Sequence, residues 1–344
     1  MLFNNVCLHS FGYQLPPRVV TSAEIEERLF PVYDRLKLPA GRLELMSGIR
    51  SRRFWDSGTR PSDGAVMAGK KAIEASGIAP ADIECLFFTG VCRDMMEPAT
   101  ASFVHRQLGL PDRCILYDIS NACLGFLNGM ITLATLIELG QVKTGLIVTG
   151  ETAEHLVEST ILNLLADPVL TRKSIKSSFA SLTIGSGAVA LVMGDERLYK
   201  TGHTLKGGVC RANTSFNDLC QGGSDNPAGT LMATDSEELL KRGVETAHLT
   251  WLDFLEETGW QPKVIDHYFC HQVGSSHSRL LCETLGIDPA LNYETLAQLG
   301  NVGSVSAPVT MAIGVEEGIL RKGERAALLG IGSGINCLML GVEW

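Results

Sequence analysis

The sequence lacks any C-x-x-C pair, although ten cysteines are scattered along its 344 residues. Closely paired cysteines are typical of zinc sites and of disulfide frameworks, so neither is predicted. Residues 1–11 also lack the basic segment and the long apolar core of a secretory signal peptide. We therefore expect a cytoplasmic protein without a metal site.

The chain also lacks an excess of positive charge. It carries 29 Lys and Arg residues against 38 Asp and Glu residues, which gives a net charge of −9 at pH 7. This balance argues against binding to nucleic acid or to an anionic membrane surface. It also removes a global attraction to an acidic carrier protein, although a local basic patch would still bind one.

No charged residue occurs between Asp118 and Glu138. The length of this run would suit a membrane span. However, Asn121, Asn128 and two glycines interrupt the run, and its first part has the character of a strand. We therefore predict a buried helix, apolar nearly all round, in a soluble core and no transmembrane segment.

Cys123 stands where the strand pattern of residues 114–119 gives way to helix-compatible residues. This places it at a strand-to-helix turn, on the first turn of a central helix. The free N–H groups and the dipole at a helix N-terminus favour an anion, which lowers the pKa of a thiol and makes it a better nucleophile. The alternative is a small buried hydrophobic residue, as most cysteines are.

An internal repeat predicts a duplicated fold. The motif I-G-S-G, followed by an apolar strand, occurs at 184–187 and again at 331–334. An earlier pattern, isoleucine and an acid followed by Phe and Val at fixed spacing, occurs at 83–91 and at 265–273. The echoes come in a compatible order, so the chain consists of two similar strand–helix segments.

These segments are predicted to be an N-terminal half, 1–196, and a C-terminal half, 197–344. Together they imply an α/β fold with pseudo-twofold symmetry, in which helices lie between and outside two mixed sheets. Residues 151–180 are predicted to form a mobile, mostly helical insertion in the first half. Thr21 and Thr234 each begin a T-x-x-E capping box, which predicts the start of a helix.

If the two halves superpose, polar groups from separate segments meet on the pseudo-twofold axis. The Cys123 turn then corresponds to the turn that holds Asn301, in G-N-V-G-S-V-S, while His271 ends the strand that begins near residue 265. A nucleophilic thiolate needs a partner imidazole and a donor for the developing oxyanion. The backbone N–H of Ser333, in G-S-G, would complete an oxyanion hole with that of Cys123.

These residues also have other interpretations. His271 would fit a core histidine bonded to a carbonyl group, and Asn301 beside glycines is a common turn residue. His267, His271 and His277 are an alternative set of metal ligands, but the absence of an accompanying carboxylate or cysteine pair argues against a metal site. The basic turn at 47–53 is either solvated surface or a phosphate contact for a nucleotide-bearing substrate.

Four motifs carry a resemblance to a known family: N-A-C-L-G-F at 121–126, C-H-Q-V at 270–273, G-N-V-G-S-V-S at 300–306 and G-I-G-S-G at 330–334. From end to end the sequence resembles the thiolase superfamily, and within it the ketosynthase III (FabH-like) enzymes. The resemblance implies a five-layered α-β-α-β-α thiolase fold, an obligate homodimer, and acyl transfer from an acyl-CoA substrate without a cofactor.

The resemblance also implies a role for each site residue. Cys123 would carry the acyl group, and the backbone amides of Cys123 and Ser333 would bind the thioester oxygen of the first substrate. His271 and Asn301 would bind that of the second. Residues 42–46 depart from the family because they lack the tryptophan that holds adenine, so no coenzyme A contact is assigned.

Glu97, in M-M-E-P, stands where initiating ketosynthases carry an apolar or aromatic residue, on a loop that in that family reaches into the partner's acyl pocket. A carboxylate is costly to bury without a role. Decarboxylation of a malonyl donor needs no strong base, whereas a non-decarboxylative Claisen condensation does. Glu97 suits that work if an apolar wall raises its pKa. The alternative is a surface carboxylate near a helix N-terminus.

The string R-D-M-M-E-P-A-T-A-S at 93–102 resembles the OleA-type enzymes, which join two fatty acyl-CoA molecules head to head. We therefore predict a non-decarboxylative condensation of two long-chain acyl-CoAs to a 2-alkyl-3-oxo acid, the first step of long-chain olefin biosynthesis. Downstream enzymes of that pathway are the expected partners. The alternatives are a ketosynthase III that uses malonyl donors and a catalytically silent partner subunit.

Overall fold

The computed structural model describes residues 1–223 and 229–344, so that part of the predicted connection 204–229 lies outside the described residues. The helices are α1 (Ser22–Arg28), α2 (Phe30–Leu36), α3 (Arg42–Ser47), α4 (Pro61–Ser76), α5 (Thr100–Leu108), α6 (Gly125–Glu138), α7 (Glu154–Ala166), α8 (Lys176–Phe179), α9 (Glu196–Tyr199), α10 (Ser236–Thr258), α11 (Ser275–Leu285), α12 (Leu296–Leu299) and α13 (Ser306–Glu316). The strands are β1 (Val6–Gln14), β2 (Arg18–Thr21), β3 (Ser51–Phe54), β4 (Cys85–Phe88), β5 (Ile115–Asp118), β6 (Thr144–Glu151), β7 (Gly187–Asp195), β8 (Thr204–Ala212), β9 (Cys220–Gly223), β10 (Leu231–Thr234), β11 (His267–Cys270), β12 (Arg325–Gly332) and β13 (Asn336–Glu343).

The strand order shows the duplication that the repeat predicts. Nine strands follow one another in the order β11-β12-β13-β8-β1-β7-β6-β4-β5. At the centre, β1 and β8 pair only between Cys7 and Thr204, which joins two sheets. Counted outwards from this junction, β1-β7-β6-β4 and β8-β13-β12-β11 have the same sequence of antiparallel, antiparallel and parallel pairs. The two halves therefore have the same sheet topology.

Alternating strand residues place the helices in layers. In β4, Leu86 packs in a core with α4 and α5, whereas its neighbour Phe87 packs against α6. In β12, Leu328 faces the same central core as Phe87, and Leu329 packs with α10 and α11. The layers are thus α4/α5, sheet, α6/α13, sheet and α10/α11, which confirms the five-layered thiolase fold.

The run without charge forms α6 inside this central layer. Its buried side chains include Phe126, Leu127, Met130, Leu133 and Ile137, all at most 1% exposed. The predicted buried helix is confirmed, although it begins at Gly125 rather than at Cys123. Within residues 1–223 and 229–344, none of the helices combines the length and the apolar character that crossing a bilayer requires.

The two predicted capping boxes differ in outcome. Thr21 is the N-cap of α1, and Glu24 completes its capping box, as predicted. The second box is wrong by one residue, because Thr234 is the last residue of β10 and the Asp235 side chain caps α10 by accepting a hydrogen bond from Glu238 N–H. Aspartate is as good an N-cap as threonine, and strand pairing retains Thr234. The region 151–180 contains α7 and α8, as its helical pattern predicts.

Candidate active site

Cys123 lies in the turn that connects β5 to α6, directly before the helix N-cap residue Leu124. The preceding residue, Ala122, has a φ of 46°, in the left-handed region that residues other than glycine seldom adopt. Strained residues of this kind cluster at functional sites, where the surrounding structure holds them in place. The turn at residues 119–124, called the nucleophile turn below, therefore has the strained backbone that is typical of a functional site.

Ser304 connects the turn that contains Asn301 to the start of α6 by hydrogen bonds. The Ser304 hydroxyl accepts a hydrogen bond of 2.8 Å from Phe126 N–H and donates one of 2.8 Å to the Thr89 carbonyl oxygen. A Cβ at Gly125 would lie 2.2 Å from that same oxygen, so only glycine allows this close approach. Contacts from both halves of the chain thus fix the position of the nucleophile turn.

Asn301 is 8% exposed and its backbone is held on both sides. Its N–H donates to the Thr183 carbonyl at 3.1 Å, and its carbonyl accepts from Gly185 N–H at 2.8 Å. The side-chain Oδ1 accepts a 3.0 Å hydrogen bond from Gly303 N–H. Because Oδ1 is engaged, the Nδ2 group is oriented. Among the residues that the structure describes, none accepts a hydrogen bond from Nδ2, which can therefore donate to a substrate oxygen.

His271 follows the last residue of β11, and its N–H donates to the Leu329 carbonyl of β12 at 2.8 Å. Its side chain is 4% exposed, and no group within the described part of the chain hydrogen-bonds to its buried Nδ1. Burial lowers the pKa of His271 to about 3, and the nearby His277 adds to the shift. The imidazole is therefore neutral near pH 7 and has one N–H to donate.

The turn that contains Ser333 connects β12 to β13 and lies against the nucleophile turn. A Cβ at Gly332 would be 3.6 Å from the Cys123 backbone nitrogen. The Asn336 side chain donates to Asn121 Oδ1 at 3.1 Å and to the Ser333 carbonyl at 3.3 Å. The backbones of Cys123 and Ser333 thus approach each other, as an oxyanion hole built from both would require.

Burial raises the pKa of the Cys123 thiol to about 12, and the charges of Glu151 and Cys220 contribute to the shift. This is opposite to the expectation from the helix N-terminus. The physical reason is that Cys123 lies in a desolvated site beside an acidic group, and both disfavour the thiolate. The resting Cys123 side chain is therefore a thiol, which would have to lose its proton in order to act as a nucleophile.

Glu151, at the end of β6, is the residue near the nucleophile that the sequence analysis missed. It is 4% exposed and accepts hydrogen bonds from the backbone N–H groups of Val91, Cys92 and Ser304. Burial raises the pKa of its carboxyl group, and these N–H donors act in the opposite direction. The available signal was a single acid at the end of the otherwise uncharged strand T-G-L-I-V-T-G-E.

Glu97 lies on the loop between β4 and α5, on the exposed surface of its own chain. The adjacent Met96 is 95% exposed. The apolar wall that we expect around Glu97 is thus not supplied by the chain that carries it. Within one chain, the turn of Ser333 lies against that of Cys123, and the turn of Asn301 contacts the start of α6 through Ser304. His271 follows β11, the strand that pairs with β12.

A groove of about 710 Å³ lies between helices α7 and α8 and the paired strands β9 and β10. Cys220, which begins β9 and precedes the lining residue Gln221, contributes to the raised pKa of Cys123. The lining residues are Thr160, Asn163, Ser177, Ser178, Gln221, Gly222, Gly223, Leu231, Met232 and Ala233.

A cysteine before the central helix, with histidine and asparagine turns from the other half of a duplicated five-layered fold, is the arrangement of thiolase-type condensing enzymes. The comparisons with known proteins agree. Family models described as 3-oxoacyl-[acyl-carrier-protein] synthase III and its C-terminal domain match residues 117–209 and 255–344.

Two curated relatives carry the name acyl-CoA:acyl-CoA alkyltransferase. The protein from Shewanella oneidensis is 43% identical, and that from Xanthomonas campestris pv. campestris is 40% identical, each over 100% of both chains. A crystal structure of X. campestris OleA, with a cysteine-to-serine substitution and bound lauric acid and lauroyl-CoA, has a TM-score of 0.95 at 39% identity and covers 100% of both chains. This chain belongs to the OleA family of acyl-CoA:acyl-CoA alkyltransferases.

The two buried histidines make stability depend on pH. The pKa of His271 is lowered to about 3 and that of His277 to about 4, from an ordinary value of 6.5. Below pH 6.5 the unfolded chain therefore binds protons that the folded chain does not bind until far lower pH. The free energy of unfolding should fall as pH drops through this window, by up to about 1.4 kcal/mol per pH unit for each histidine.

Denaturant unfolding at about pH 7.5 and about pH 5.5 would measure this effect. The His277→Gln variant should lose about 1.4 kcal/mol less stability than the unsubstituted protein between these two conditions. His155→Gln is the control, because His155 is exposed. Equal pH dependence in His277→Gln and in the unsubstituted protein would contradict this prediction.

Proposed function

We propose that the protein condenses two long-chain acyl-CoA molecules head to head, without decarboxylation, to a 2-alkyl-3-oxo acid. The observation that carries the proposal is the combination of the Cys123, His271 and Asn301 site with a glutamate before Pro98, in a chain 43% identical to an acyl-CoA:acyl-CoA alkyltransferase. Solved structures of X. campestris OleA include variants of one cysteine and one glutamate. Those two residues are separated by the same number of positions as Glu97 and Cys123.

In the first half-reaction, the Cys123 sulfur attacks the carbonyl carbon of an acyl-CoA. The backbone N–H groups of Cys123 and Ser333 donate to the oxygen, which becomes negative in the tetrahedral intermediate. The carbon–sulfur bond to coenzyme A then breaks, and the thiol proton of Cys123 ends on the departing coenzyme A. An acyl-cysteine remains, and no cofactor takes part.

In the second half-reaction, Glu97 of the partner subunit removes an α-proton from a second acyl-CoA. Asn301 Nδ2 and the neutral His271 imidazole donate hydrogen bonds to the resulting enolate oxygen. The α-carbon attacks the acyl-cysteine, and the Cys123 sulfur leaves and regains a proton. The product, a 2-alkyl-3-oxoacyl-CoA, is then hydrolysed to the free acid. Orienting two thioesters in one site supplies much of the rate acceleration.

The assignment of Glu97 requires a homodimer, which two surface features support. β5 is an edge of the sheet and exposes Ile115 and Tyr117, so its outer backbone groups can pair with another strand. The neighbouring loop exposes Met95 and Met96 beside Glu97. Two chains that meet along this edge would cover these apolar side chains and bring each Glu97 towards the partner's site.

We further propose that the protein works in the cytoplasm and passes its product to downstream enzymes of olefin biosynthesis. A 2-alkyl-3-oxo acid is a β-keto acid that decarboxylates readily to a ketone, so a partner that accepts it promptly would preserve it.

The test is incubation with a single long-chain acyl-CoA, without any malonyl donor, and product analysis by mass spectrometry. Catalytic release of coenzyme A with a condensed β-keto acid, or its ketone, is the expected result. One equivalent of coenzyme A and a stable adduct on Cys123, extended only with malonyl substrate, would instead establish a ketosynthase III. If no thioester forms an adduct, the chain is a silent partner subunit.

A further inference from the structure

The buried carboxylate of Glu151 binds backbone N–H groups of two loops that act in the proposed reaction. Glu151 Oε1 accepts hydrogen bonds from Val91 N–H at 2.9 Å and from Ser304 N–H at 3.2 Å, and Oε2 accepts one from Cys92 N–H at 3.0 Å. Val91 and Cys92 begin the loop that carries Glu97, whereas Ser304 belongs to the turn that carries Asn301. A carboxylate with three N–H donors is fully suited to accept and has nothing to donate.

The surroundings of Glu151 leave it little freedom to move. Its backbone carbonyl accepts a hydrogen bond from the Trp55 indole at 2.9 Å. A Cβ at Gly303, whose φ is 56°, would lie 3.1 Å from Oε1, so the Asn301 turn packs directly on the carboxylate. A displacement of this carboxylate would therefore move both loops.

We propose that Glu151 is a positioning residue for the condensation step, because it fixes the Asn301 turn of one active site relative to the Glu97 loop that enters the other. This proposal rests on the proposed function, in which both loops act on the second acyl-CoA. If Glu97 crosses the dimer, the same carboxylate supports parts of two sites.

The acylation step depends on other contacts. The start of α6 is held by the Ser304 hydroxyl, which bonds to Phe126 N–H and to the Thr89 carbonyl oxygen, whereas Glu151 binds Ser304 only at its backbone N–H. The oxyanion hole of Cys123 and Ser333 is held by Asn336 and Asn121, neither of which contacts Glu151. The negative charge of Glu151 also raises the pKa of Cys123, so its removal does not disfavour the thiolate. Loss of the carboxylate should thus separate the two half-reactions.

The variant Glu151→Gln has nearly the same size but replaces one acceptor oxygen with an NH₂ group, which cannot accept from the backbone N–H that faces it. We expect condensation to fall about 100-fold, as for a misplaced catalytic group. Formation of the acyl adduct on Cys123, measured in a single turnover by mass spectrometry, should stay within about twofold of the unsubstituted protein.

Two further variants complete the design. Glu84→Gln is the matched control, because Glu84 also accepts a backbone N–H, that of Lys143, at 2.6 Å but outside the site; both half-reactions should be unchanged. Glu151→Asp keeps the charge and shortens the reach, so an intermediate loss of condensation with normal acylation is expected. It also provides a second measurement if Glu151→Gln does not fold.

The proposal is overturned if condensation by both Glu151 variants stays normal, or if acylation and condensation fall by the same factor. Slower acylation alone would make Glu151 a base for Cys123 instead. The unsubstituted protein tests the proposed function separately, since head-to-head product either forms or does not form in that sample. The ratio of variant to unsubstituted protein tests only the role of Glu151.

Discussion

Replacing Cys123 with alanine should abolish both half-reactions, because in the proposed function the Cys123 sulfur carries the acyl group. Loss of a covalent nucleophile costs a factor of about 10⁴ or more, since the residual site only binds and polarises the substrate. Release of coenzyme A from a long-chain acyl-CoA should fall to the background rate. Mass spectrometry of the intact protein should show no acyl adduct.

Cys210→Ala is the matched control for this experiment, because Cys210 is an exposed thiol on β8. It should form the adduct at the normal rate. Normal release of coenzyme A from Cys123→Ala would exclude the whole covalent scheme, whatever the behaviour of the other cysteines. The unfolding temperatures of both variants should be compared, so that a loss of structure is not mistaken for a loss of chemistry.

Glu97→Gln should acylate on Cys123 at the normal rate and then fail to condense. The amide has nearly the size of the carboxylate but does not remove an α-proton. General-base catalysis typically contributes a factor of about 10²–10⁴, so the yield of condensed product per acyl adduct should fall by that amount. In a time course of coenzyme A release, we expect a burst of one equivalent without further turnover.

Mixed dimers test whether Glu97 acts across the dimer. Neither Cys123→Ala nor Glu97→Gln alone supports condensation. A dimer with one subunit of each kind would contain one complete site, with Cys123 from the Glu97→Gln chain and Glu97 from the Cys123→Ala chain. Mixing after subunit exchange should therefore restore part of the condensation activity. Activity that stays absent would place Glu97 in the site of its own chain, and normal condensation by Glu97→Gln alone would exclude it as the base.

The prediction of the fold from sequence succeeded where the signal was local or repeated. The apolar run after Asp118 predicted the buried helix α6, and the repeated I-G-S-G motifs predicted two halves that have matching strand order. The prediction was wrong where two neighbouring residues were both suitable N-caps, as at Thr234 and Asp235. Strand pairing of Thr234, rather than local preference, made Asp235 the N-cap of α10.

The candidate reactive residues could be identified from the amino-acid sequence. Cys123, Asn301 and Ser333 lie in short motifs whose glycines allow tight turns, and His271 lies in the motif C-H-Q-V. Such motifs can be recognised without a structure. The pKa values and hydrogen-bond partners of these residues depend on how the chain packs. The thiol pKa of Cys123 rises because the folded chain excludes water and places Glu151 nearby. Glu151 could be recognised only in the structure, where the backbone N–H groups of residues 91, 92 and 304 donate to its carboxylate. Burial and long-range hydrogen bonds are properties of the packed chain, so the sequence does not reveal them.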